Sequence, residues 1–193
     1  MLNTSLLSKI RKDLLTYADV RQRVIKDSND ALFQAKRAIF SLHRDQVGEA
    51  KEKLQASRTL LVKITKEYSK DGRALEEGAY KAALEEFVEA ELFYQFVTTH
   101  NIGEVKGIKI SSESYIAGLT DVPGELYRFA IKAATARDIK TVIACASAAE
   151  EIIGELIECN LTSYLRNKFD QAKTAVHKLE HVVYELSLRS PTV

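Results

Sequence analysis

The stretch LEEFVEAELFYQF, residues 84–96, sets two acids three positions apart, Glu86 and Glu89, among Phe87, Val88, Leu92, Phe93 and Phe96. On a helix, residues at i and i+3 are neighbours on one face. Apolar side chains project all round this wheel, the pattern of a helix buried on most sides, and the two acids share a side with Leu75, Phe93, Phe96 and Val97. An ionised carboxylate in such surroundings costs roughly several kcal/mol of desolvation, and two of them also repel. Something cationic has to offset that, unless the helix is less buried than its pattern implies and the acids are ordinary surface ones.

A second pair stands in IAGLTDVPGELYRFA, residues 116–130, where Asp121 and Glu125 are one turn apart. Arg128 and Lys132 lie on the same side, so a solvated charged face with local ion pairs is the competing reading. Gly118 and Gly124 flank that face and would let another helix, or a substrate backbone, approach closely. Pro123 removes a backbone N–H and clashes with the preceding turn, which predicts a kink or a restart between the two acids. A third acidic group, Glu151, Glu155 and Glu158, has similar spacing but lies opposite Val142, Ile143, Ala146, Ile153, Leu156 and Ile157. It reads as a solvated face.

If the two acid-bearing helices are neighbours, Glu86, Glu89, Asp121 and Glu125 converge on one site. Oxygen donors of this kind suit hard divalent cations, Mg²⁺ or Mn²⁺. A di-iron site built in a helical bundle would use Glu-x-x-His pairings, and no Glu stands three residues before His43, His100, His177 or His181. The chemistry favoured is phosphoryl transfer, in which metal ions activate water and stabilise charge on the attacking and leaving oxygens. A separate feature is a basic stripe of Lys12, Arg23, Lys26, Arg37 and Arg44, which fall within about 60° of one another on the first helix, interrupted by Asp30. Such a row could follow a phosphate backbone or be a solvated face, and no aromatic RNA-binding signature accompanies it.

The elements that must position these residues are helices. Only 2 prolines and 8 glycines occur in 193 residues, and apolar positions recur at helical spacing almost throughout. One long helix is expected from Ser5 to Leu42, with Leu7, Ile10, Leu14, Ile25, Leu32, Ile39 and Leu42 on its apolar side. Further helices are expected over 46–69, 73–98, from Ser112 through Pro123, over 138–159 and over 162–188, with residues 100–112 a loop and Ser112 its N-cap. The result is a single all-α domain over residues 1–193, a bundle of six to seven helices.

Composition limits the functional classes. A net charge of +1 from 28 basic and 27 acidic residues supplies no overall pull toward nucleic acid or membrane, so any binding field is local. The two cysteines, Cys145 and Cys159, have no metal-ligand spacing and are read as buried thiols. The N-terminus lacks a signal-peptide apolar core and no run is long enough to span a membrane, which points to a cytoplasmic protein.

KRAIFSLHR (36–44), EEFVEA (85–90) and GLTDVPGEL (118–126), in this order on an all-helical chain, resemble the translin family, and the last two are most similar to its Trax branch. The resemblance runs from about Tyr17 to Arg189, with helices two and five matching by pattern more than by motif. It implies a divalent-metal-dependent endoribonuclease that cuts single-stranded or nicked RNA. The family's acidic motifs fall on Glu86, Glu89, Asp121 and Glu125, all of them acidic here, and their retention favours the catalytic branch over the purely RNA-binding one. It further implies a hollow homo-oligomer, an octamer, with single-stranded RNA or DNA held inside. Pro123 departs from the family's pattern and bears on the placement of Asp121. Three classes stay open at this point, namely a metal-dependent RNase, a non-catalytic RNA- or DNA-binding oligomer, and a helical scaffold whose acids are structural.

Overall fold

The computed structural model describes residues 2–69, 72–161 and 163–189. Among these, seven helices and no strands occur: α1 Thr4–His43, α2 Val47–Tyr68, α3 Gly72–Leu75, α4 Gly78–Thr99, α5 Ser112–Thr135, α6 Ile139–Ile157 and α7 Ser163–Arg189. The all-α expectation and the helix number hold.

Local chemistry explains the boundaries. Asn3, Ser111 and Asp138 cap α1, α5 and α6, each side chain accepting a backbone N–H of the first turn. Ser111 therefore takes the capping role expected of Ser112. The helix expected over 73–98 is instead two pieces, because Glu77 adopts an extended backbone and its carboxylate is drawn to α1 by the Tyr17 hydroxyl (2.6 Å) and Arg21 (3.1 Å). That tertiary pull breaks the helix ahead of Gly78.

At the centre, α4 and α5 pack on each other. Beyond them, α1 and α2 cover α4 while α6 and α7 cover α5. Buried positions on α4 are Tyr80, Ala83, Leu84, Phe87, Val88, Glu89, Ala90, Leu92, Phe93 and Phe96, so its all-round apolar pattern does reflect burial on most sides. Small residues set the close approaches. Ala31, Ala35 and Ala38 line the inner face of α1, and Gly118 of α5 has no room for a side chain against Glu85 and Val88 of α4.

At about 1.5 Å per residue α1 is roughly 60 Å long, nearly twice α2, and its N-terminal turns run past the bundle. Leu7, Ile10 and Leu14, expected to face the core, are therefore exposed together with Leu6 and Leu15. The buried face starts at Val24. Of the two thiols, Cys145 is buried and pushed up to about 12 by desolvation, whereas Cys159 is exposed, contrary to expectation, because it lies past the end of α6. Among the described residues no helix is long and apolar enough to cross a membrane.

Candidate metal and nucleic-acid site

Glu86 and Glu89 project from α4 toward Asp121 and Glu125 of α5, with α1 and α7 closing the flanks. Gly118 permits this. A Cβ there would stand 2.6 Å from both the Glu85 carbonyl oxygen and Val88 Cβ, so the glycine sets the contact between the two acid-bearing helices. Gly124, by contrast, has nothing within 4 Å, so among the described residues no helix of the chain packs against it. Nor does Pro123 restart the helix. α5 is continuous through it, with the ring buried, so Asp121 and Glu125 keep their one-turn spacing on one face.

The four acids differ in their surroundings. Glu89 is 8% exposed, and among the described residues none hydrogen-bonds or ion-pairs with its carboxylate. Burial, followed by the charges of Asp121, Glu86 and Glu125, raises it well above the usual carboxylate range. Glu86 is also raised by burial, partly offset by Lys36 of α1 at 3.7 Å. Asp121 is raised by burial even though Lys168 of α7 hydrogen-bonds to it. Burial would raise Glu125 too, but hydrogen bonds from His43 of α1 and from Arg128 (3.0 Å to each oxygen) outweigh it and hold this carboxyl below its ordinary value.

Around these pairs a supporting shell is built. Lys168 also donates to the Ala117 carbonyl (3.3 Å) and stands 3.5 Å from Glu85, whose carboxylate accepts from the Tyr164 hydroxyl at 2.6 Å. The His43 ring packs on Phe93 with centroids 5.0 Å apart, which fixes the imidazole beside Glu125. Lys132, expected among the ion pairs of the Asp121–Glu125 face, turns instead to the His43 carbonyl and Asp45.

An oxygen-only donor set in which Glu86, Glu89 and Asp121 are raised and Glu125 is lowered suits a hard divalent cation. In this arrangement, however, Asp121 and Glu125 are turned to basic partners, and among the described residues no three or more His, Cys, Asp or Glu side chains are gathered closely enough to hold a metal ion. The expected convergence is thus electrostatic rather than a formed ligand cluster. Sequence reasoning missed Lys36, His43 and Lys168. The first two were visible as an i, i+7 pair within KRAIFSLHR, whereas Lys168 lies 47 residues from Asp121 with no local signal.

The basic stripe is exposed at all five positions, Lys12, Arg23, Lys26, Arg37 and Arg44. Arg37 reaches Glu49 at 3.4 Å, and the Arg23 guanidinium donates to the Asp19 carbonyl. Glu151, Glu155 and Glu158 are exposed, as expected of a solvated face.

The Translin family model matches residues 19–190. The chain is 24% identical to translin-associated protein X of Rattus norvegicus over 95% of its own length and 78% of that protein. It is 32% identical to human translin over a shorter stretch, 44% of this chain and 37% of translin. The fold superposes on AfC3PO solved with duplex RNA at a TM-score of 0.84, with 22% identity and coverage of 97% and 99% of the two chains. For apo-NeC3PO the TM-score is 0.83, with 19% identity and coverage of 95% and 97%.

Proposed function

Since this chain belongs to the translin family, we propose that it is a divalent-metal-dependent endoribonuclease acting on single-stranded or nicked RNA inside a homo-oligomer, an octamer. The observation that carries the reading is Glu89, a carboxylate buried among three other acids with no base among the described residues within bonding reach. Burying it unpaired is costly, and a cation taken from solution removes that cost. Glu86, Glu89, Asp121 and Glu125 would hold Mg²⁺ or Mn²⁺. When bound, such an ion supplies an activated water and neutralises charge on the phosphodiester.

The chain's own residues then have distinct roles. Glu86 and Glu89 stand on the most buried helix and form the rigid half of the site. Asp121 and Glu125 are the adjustable half, held by Lys168 and by His43 and Arg128 until a stronger cation competes for them. Lys36, 3.7 Å from Glu86, keeps one positive charge at the edge of the acid cluster, where it would be available to a phosphate. Exposed Leu6, Leu7, Ile10, Leu14 and Leu15 on the projecting end of α1 support assembly with further copies, since a row of this kind is apolar surface that association buries. The similarity to a structure holding duplex RNA supports RNA as the ligand.

A second reading, a non-catalytic oligomer that binds single-stranded RNA or DNA, is favoured by the ion pairs that already occupy Asp121 and Glu125. Labelled single-stranded RNA incubated with Mg²⁺, Mn²⁺ or EDTA separates the two. We expect cleavage only with divalent metal and its loss in Glu89→Gln with RNA binding retained. Metal-independent binding without cleavage by the wild-type protein would establish the second reading.

A further inference from the structure

The outer face of α1 carries two aromatic rings that the bundle leaves uncovered. Phe33 and Phe40 are each 57% exposed, although Ile39 and Leu42 beside them are buried. Each ring has an arginine one turn on. The Arg37 Cζ stands 5.9 Å from the Phe33 centroid and the Arg44 Cζ 5.6 Å from that of Phe40. The same unit, Phe followed four residues later by Arg, is thus repeated after seven residues.

Its position relative to the acids is specific. At about 100° per residue, Lys36 and His43 lie within about 20° of each other, and these side chains touch Glu86 and Glu125. Phe40 and Phe33 follow at about 40° and 60° round from Lys36, and Arg44 and Arg37 at about 80° and 100°. Three parallel rows therefore run along the helix, first the side chains that touch the acids, then the rings, then the guanidiniums. Along the axis Phe33 and Phe40 are roughly 10 Å apart at about 1.5 Å per residue. Stacked nucleotides advance about 3.4 Å each, so the two rings span about three of them.

We propose that Phe33 and Phe40, with Arg37 and Arg44, form a base-stacking rail for single-stranded RNA that delivers the backbone to the acid site. The rail rests on the RNA reading above. Rings bear any base on their π-face, and guanidiniums hold phosphate, which gives binding without sequence preference. A protein interface suits the face less well, because covering it would desolvate Arg44, which has no carboxylate partner among the described residues.

The test uses a short single-stranded RNA containing 2-aminopurine, titrated in EDTA, whose fluorescence is quenched when the base stacks. Phe33→Leu and Phe40→Leu keep apolar bulk but remove the ring, and light scattering records the mass of each variant. We expect each to lose about 5- to 150-fold in affinity, together with the quenching, at unchanged mass and unchanged salt dependence. Phe40→Trp should restore quenching. Leucine variants that bind and quench as wild type, or that change mass along with affinity, overturn the rail, the latter by making the face an interface between copies. Wild-type protein that binds RNA without any quenching overturns the rail alone, whereas wild-type protein that binds no RNA removes the functional reading beneath it.

Discussion

Gly118→Ala tests the packing on which the acid site depends. The added Cβ would meet the Glu85 carbonyl oxygen and Val88 Cβ at 2.6 Å and Val88 Cγ1 at 2.7 Å. Carbon atoms settle at about 3.5–4.0 Å from one another, so α4 and α5 must part locally by roughly an ångström. Two of the three obstructing atoms belong to backbone or Cβ and cannot swing away as a side-chain tip does. Overpacking typically costs about 1–3 kcal/mol, and these fixed obstacles argue for the upper end. Replacing a helical glycine returns up to about 1 kcal/mol of propensity. The net, about 2 kcal/mol, lowers Tm by about 4–8 °C for a chain of this size.

Gly124→Ala is the control within the same helix. Nothing lies within 4 Å of its Cβ position, so only the propensity gain remains. It should raise Tm by about 1–4 °C. Calorimetry of both variants measures the difference, and RNase assays add a second readout, since parting the helices moves Glu86 and Glu89 from Asp121 and Glu125. A misplacement of about an ångström costs on the order of 100-fold in rate. If Gly118→Ala melts at or above wild type, the helices do not touch as described and the reasoning fails. Equal losses in both variants would point to helix-local effects and refute it as well.

Glu89→Gln should stabilise the protein in a pH-dependent way. Its folded carboxyl is raised by burial and by Asp121, Glu86 and Glu125, so the native state holds the proton more tightly than the unfolded chain. The penalty is absent at acid pH, where both states are protonated, and grows as pH climbs through and above the ordinary carboxylate range. Thermal midpoints of variant and wild type should coincide near the acid end and separate in favour of Gln toward neutrality, and a gap that is flat with pH would contradict this. The double variant Arg23→Ala and Lys26→Ala should weaken single-stranded RNA binding without regard to sequence and reduce the salt slope by about 1.4, at about 0.7 for each phosphate no longer neutralised. An unchanged slope in filter-binding titrations would mark that part of the stripe as solvated surface.

Much of the architecture was legible in the residues themselves. Helical spacing and the scarcity of glycine and proline are local properties, and they predicted the class and most helix ends, though the cap expected at Ser112 is supplied by Ser111. The apolar residues all round α4 announced its burial, and thereby the unusual position of Glu89. What the sequence could not carry was where each charge would find its partner. Glu77 breaks a periodic helix because Tyr17 and Arg21 pull on it from α1, and Asp121 and Glu125 are taken by Lys168 and His43, 47 and 82 residues away. Likewise Leu7, Ile10 and Leu14 continue the apolar stripe of α1 yet stand in solvent, because periodicity records which side of a helix is apolar and not whether a neighbour is present to cover it. Local pattern determined the helices, and only their packing decided which of the four site carboxylates meet a base and that Glu89 has none among the described residues.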